Sequence, residues 1–283
     1  MMTWINRLRL AGAAWALLVG TGAAPAADDV SRWDGDARSA ARLIAASRPA
    51  GETTLLRAGI EIRLKAGWHT YWRYPGDAGV PPQFDFKGSQ NVQGVEVLWP
   101  APQRLPEDGG ISIGYEHDMI LPLRIVPQDR AKPVVLRLKL DYAVCEKLCV
   151  PAEAKAELAL SGGATSQEAA LAAAEARVPK KLKLGEGRTL AIRTVLRESG
   201  PGRPRVVVDV AGPAGGAVDL FAEGPTPQWA LPLPAAVDGA PAGLQRFVFE
   251  LDGAPPGASY GRLLLTLTAV GAGEAIEVTT RLD

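Results

Sequence analysis

The sequence predicts an all-β protein of sandwich type, laid out in two halves and exported from the cytoplasm. Three observations carry that expectation. Short β-prone runs are broken throughout by glycine and proline, which suits a sandwich. A secretory leader opens the chain. The only two cysteines, Cys145 and Cys149, sit together near its middle.

The leader comes first in order. Arg7 and Arg9 form a short positive region, the stretch from Leu10 to Val19 is almost wholly apolar, and Ala24-Pro25-Ala26 fits the small-residue pattern of a cleavage site. The apolar stretch is shorter than the ~20 residues a membrane helix needs. Residues 1–26 therefore read as a cleaved signal peptide, and the rest as a periplasmic chain. No cysteine lies near the cleavage region, which excludes a lipid-modified N-terminal cysteine. The 31 basic and 31 acidic residues balance, and no basic stripe or polybasic run points to nucleic acid or a membrane surface. A hydrophobic content of 47% excludes general disorder.

In the first half, strands are expected over residues 55–65, 95–99, 120–126 and 133–142. The last is the clearest. Val135, Arg137 and Lys139 fall on one face, Leu136, Leu138 and Leu140 on the other, and the run leads straight into Cys145. Residues 75–82 and 100–102, rich in proline, read as loops. Residues 36–46 are rich in alanine and arginine, so local propensity favours a helix there. Residues 165–178 read as a helix, with Thr165 and Glu168 as a capping box, alanine in the interior and Pro179 as the stop. This helix lies between the halves and reads as their linker. Beyond it, strands are expected over 189–197, 205–210, 217–222, 246–251, 262–270 and 275–281. The second half holds neither cysteine nor histidine, so a structural or partner-docking sandwich is expected.

The sharpest chemical signal is Asp141-Tyr142-Ala143-Val144-Cys145-Glu146-Lys147-Leu148-Cys149-Val150-Pro151. In an exported chain, a close cysteine pair points to a disulfide. A bridge across so short a loop constrains the unfolded chain weakly, by roughly 2 kcal/mol against about 4 for a long loop. Tight loops also favour a more reducible bond. Both points favour a redox pair over a staple. Metal binding is the competing chemistry, with His69, His117 and Met119 available to join the thiolates around copper or zinc. Spacing gives that no support, since the histidines lie far apart and the cysteines are not C-x-x-C. The run Trp68-His69-Thr70-Tyr71-Trp72-Arg73-Tyr74 is unusual in a chain with 6% aromatics. It suits either packing at a sandwich edge or the wall of a shielded redox site or docking surface. The adjacent carboxylates Glu107-Asp108 and Asp28-Asp29 read as solvated charge.

Residues 67–73, then Pro75-Gly76-Asp77-Ala78-Gly79 and Pro81-Pro82, resemble the N-terminal region of ScsB-type proteins, the suppressors of copper sensitivity. Val97-Leu98-Trp99-Pro100-Ala101-Pro102, Gly114-Tyr115, Leu121-Pro122 and the run from Asp141 to Pro151 continue the match in order. The order Tyr115, Leu121-Pro122, Cys, Cys-x-Pro is similar to the N-terminal domain of the thiol:disulfide interchange protein DsbD. The resemblance covers residues of about 33 to 160; over the second half it rests on the two-sandwich layout alone.

The resemblance implies an immunoglobulin-like domain over residues 33–162 that carries electrons as a reversible dithiol, with residues 40–46 as a first strand. The helix between the halves sets a linker over 163–184, and the strands beyond it a second sandwich over 185–283. Cys149 then matches the partner-attacking thiol and Cys145 the resolving one, with Trp68, His69, Tyr71, Trp72, Tyr115 and Tyr142 as candidates for shielding or docking. Lys147, between the thiols, would assist thiolate formation. No cofactor is expected. Full-length members continue into a membrane domain and a thioredoxin-like domain. With this sequence ending at Asp283, the expected partners are a membrane-embedded reductant on a separate chain and a periplasmic thioredoxin-like or disulfide isomerase-like protein. DsbD shields its site with an aromatic cap loop, and the matching residues 105–112 hold no aromatic. The alternatives are a copper-binding or copper-tolerance protein using the same cysteines, and a structural docking sandwich. No nucleophile elbow, H-E-x-x-H or phosphate-binding glycine loop supports a hydrolase.

Overall fold

The computed structural model describes residue 1 and residues 29–47, 55–76, 79–107, 110–163, 165–199, 203–257 and 263–282. The signal-peptide reading of residues 1–26 falls, Met1 aside, outside the described residues.

Hydrophobic alternation builds the first half. Its strands are β1 (Asp34–Gly35), β2 (Ser39–Ala46), β3 (Leu56–Leu64), β4 (His69–Gly76), β5 (Gln83–Asp85), β6 (Val92–Val97), β7 (Gln103–Glu107), β8 (Gly110–Tyr115), β9 (Met119–Pro127), β10 (Val134–Cys145) and β11 (Cys149–Leu160). They form one sheet in the order β1-β2-β3-β9-β6 and a second in the order β11-β10-β4-β8-β7, with β5 also paired to β10. Leu56, Ala58, Ile60 and Ile62 on β3 and Val134, Leu136, Leu138 and Leu140 on β10 alternate inward into one apolar core.

Residues 36–46 resolve the conflict between propensity and resemblance in favour of a strand. β2 is buried on both faces, because the core shared with the second sheet covers one side and a helix the other. That helix, α1 (Glu168–Ala176), is shorter than the expected 165–178. Leu171 on α1 packs with Ile44 and Ala46. Gly59 on β3 makes room, since a Cβ there would stand 2.8 Å from Ile120 and 3.0 Å from Leu171. The link between the halves is thus docked on the first one.

The expected capping box does not form. Thr165 Oγ1 donates to the Ala45 carbonyl at 2.8 Å, and the Glu168 carboxylate accepts from Ser47 and Arg57. Arg57 in turn forks onto Glu175. A guanidinium partner outcompetes a backbone N–H for a carboxylate, because the bond is charge-assisted. The Ser47 hydroxyl and Arg57 together hold the Glu168 carboxyl down at about 2.

The second half comprises β12 (Lys180–Lys181), β13 (Ala191–Glu198), β14 (Arg205–Ala211), β15 (Val218–Glu223), β16 (Ala235–Val237), β17 (Leu244–Glu250), β18 (Leu263–Gly271) and β19 (Glu274–Leu282). Two four-stranded sheets result, in the orders β12-β19-β18-β15 and β13-β14-β17-β16. All six strands expected here are present, with ends shifted by a residue or two. The protein is all-β apart from α1, among the described residues. The buried side chains of both halves form one continuous cluster, with Trp72 of β4 edge-on to Phe221 of β15 at 5.9 Å between ring centres.

Candidate functional site

The two cysteines close the hairpin between β10 and β11, directly opposite one another in register, and are disulfide-bonded. Along β10 the even positions from Val134 to Val144 face the core. Cys145 and Ala143 therefore point to the outer face of their sheet, yet both are buried, Cys145 to 2% exposure. Their cover is the neighbouring strand. Cys145 sits opposite His69 on β4, so Tyr71 lies on the same outer face one pair further along. Tyr71, Ala143 and Cys145 form a small buried cluster separate from the main core. Cys149, Glu146, Lys147 and Leu148 are exposed. One sulfur is therefore open to a partner and the other is enclosed.

Tyr71 bridges the two. Its hydroxyl lies 2.6 Å from Cys145 Sγ and 3.1 Å from Cys149 Sγ. Burial, and then the nearby Glu107 charge, push its phenol up to about 12, so it stays protonated and serves as a donor to sulfur. Gly79 lets the loop before β5 close on this ring, since a Cβ there would come within 2.7 Å of Tyr71. His69 is edge-on to Tyr71 at 5.5 Å, and its Nε2 pairs with Glu107 Oε1 at 2.9 Å. The Ser112 hydroxyl donates to that same carboxylate oxygen.

The other aromatic candidates lie elsewhere. Trp72 is fully buried in the core. The Tyr115 hydroxyl donates to the Pro100 carbonyl, and that of Tyr142 meets Ser39, both inside the first half. Trp68 is half-buried under Arg38, 5.9 Å from its ring. Among the metal candidates, His117 is exposed in the turn after β8 and Met119 is buried in the core. Among the described residues, no three His, Cys, Asp or Glu side chains converge as a metal site would need.

Two residues escaped sequence reasoning. Glu107 was expected as a solvated carboxylate, and the structure corrects this: its side chain is 16% exposed and holds His69. Its place in the segment matching the family's cap loop was the available signal. Ser112, fully buried beside it, lies in the same segment.

Removing the Tyr71 hydroxyl tests its part. A hydrogen bond to a charged group contributes about 1.5–3 kcal/mol, so Tyr71→Phe should slow reduction of the bridge by dithiothreitol roughly tenfold or more. Stopped-flow reduction measures it; an unchanged rate would leave Tyr71 as a cover alone.

Residues 40–161 match the family described as thiol:disulfide interchange protein DsbD, N-terminal. The chain is also similar to the crystal structure of the N-terminal periplasmic domain of ScsB from Proteus mirabilis, with a TM-score of 0.70 and 19% identity, over 90% of this chain and 98% of that one. No curated protein matches the sequence.

Proposed function

We propose, from the match of residues 40–161 to the DsbD N-terminal family, that this protein is a periplasmic thiol:disulfide carrier working through Cys145 and Cys149. The exposure asymmetry carries the reading: an open Cys149 beside a Cys145 enclosed under Tyr71. The carrier domain is assigned to residues 33–162, with 163–184 as the connection and 185–283 as a second sandwich. No helix among the described residues is long and apolar enough to cross a membrane. The proposed reductant is a membrane-embedded partner.

Charging begins when a reductant thiolate attacks Cys149 Sγ, the accessible sulfur. The Cys145–Cys149 bond breaks, a mixed disulfide forms, and Cys145 leaves as a thiolate that accepts the Tyr71 O–H. The reductant's second thiol then displaces Cys149, leaving the reductant oxidised and this dithiol reduced by two electrons. Delivery runs in reverse. Cys149 attacks the disulfide of a thioredoxin-like or isomerase-like partner, and Cys145 resolves the mixed disulfide, restoring the bridge.

Equilibrating the purified protein in glutathione or dithiothreitol buffers, with free thiols trapped by alkylation, tests the reading. A midpoint between roughly −270 and −120 mV, the span of catalytic dithiols, is expected. A midpoint below about −300 mV is typical of structural disulfides and would overturn the carrier role.

A further inference from the structure

The strand that carries His69 and Tyr71 is poorly held by its own sheet. β4 pairs with β10 only at Thr70 and His69, and with β8 at Thr70, Tyr71 and Gly76, the register shifting between the last two. Residues 72–75 thus have no ladder partner among the described pairings. What holds them is the second half. The Arg73 guanidinium takes Glu223 of β15 in a two-bond fork at 2.6 and 2.9 Å and Glu277 of β19 at 2.6 Å. Tyr74 donates its hydroxyl to the Trp229 carbonyl and accepts from the Leu231 N–H at 2.6 Å.

The strand that carries Glu107 is held the same way. β7 ends its sheet, and Arg104 reaches from it to Asp219 at 2.7 Å and to the carbonyls of Leu220 and Pro234. Forked bonds from arginine fix direction as well as distance, and the three ion-pair carboxylates come from β15 and β19, two strands of one sheet on either side of β18. The Arg73 partners are largely withdrawn from water, Glu223 at 14% and Glu277 at 12% side-chain exposure, so salt screens them little.

We infer that the second half positions the redox site, with Arg73 and Arg104 as the positioning residues that set Tyr71 and the His69–Glu107 pair against the sulfurs. The inference rests on the carrier reading above. Without the clamp, residues 72–75 are free to shift, and Tyr71 loses its aim at the Cys145 thiolate. The reduced form is then less favoured, and the dithiol–disulfide equilibrium moves toward the bridge.

The test is the equilibrium constant of the bridge with glutathione in the full chain carrying Glu223→Gln and Glu277→Gln together. Arg73→Lys, which keeps the charge and loses the fork, is the milder variant if the double one does not fold. Arg246→Gln is the control, since it breaks the ion pair with buried Asp209 inside the second half, away from the site. The clamp variants should move the constant toward the disulfide about threefold or more, which is about 0.7 kcal/mol, and the control should lower the unfolding midpoint without moving that constant. Clamp variants that lose stability yet keep the wild-type constant would overturn the inference and leave the carrier reading standing. A wild-type bridge that glutathione cannot open would overturn both.

Discussion

Replacing Cys149 by serine should abolish disulfide exchange with any protein partner while leaving the fold intact. Cys149 is the exposed sulfur of the pair, and a serine hydroxyl supplies no thiolate for attack. The fold is expected to survive because the hairpin closed by the bridge is short, so its constraint on the unfolded chain is worth roughly 2 kcal/mol. Long ladders on both sides of the hairpin remain, with β10 and β11 paired from Val134–Leu160 to the cysteines. Cys145→Ser should behave differently. Cys149 can still attack, but the resolving thiol is gone, so a mixed disulfide with an oxidised thioredoxin-like partner should accumulate. Non-reducing electrophoresis and intact-mass measurement distinguish the two variants. Accumulation with Cys149→Ser instead would reverse the assigned roles.

What the sequence disclosed follows from how each strand is buried. β10 alternates because one face meets the core and the other the outside, and it was legible at once, as were the strands of the second half. β2 and β4 were not legible from pattern, because both are buried on both sides. β2 lies between the core and α1, which favours the small residues that mimic a helix. β4 sends Trp72 and Tyr74 to the core while Tyr71 covers Cys145, so its aromatic run shows no period of two. β11 was missed for another reason: its inward positions include the small Ala154, which gives a weak signal. The cysteines were found by spacing, and the resemblance supplied their roles. The Arg73 and Arg104 contacts join residues more than a hundred positions apart, and nothing local in a sequence announces such pairs.

Trp72→Ala should be the most destabilising single change in this stretch, and it separates two readings of the aromatic run. If Trp72 walled the redox site, its loss would expose the bridge and leave stability nearly untouched. The structure places it fully buried, within the continuous core and edge-on to Phe221 across the two halves. Truncating a core tryptophan to alanine costs about 3–5 kcal/mol, of which the lost aromatic pair accounts for ~0.5–1.5. Since the same cluster spans both halves, a single cooperative transition is expected in urea, shifted to a markedly lower midpoint. Trp72→Phe should recover much of the loss by refilling part of the cavity. A loss below about 1 kcal/mol, the ordinary scale for surface changes, together with faster reduction of the bridge, would return Trp72 to the wall of the site and put the shared core in question.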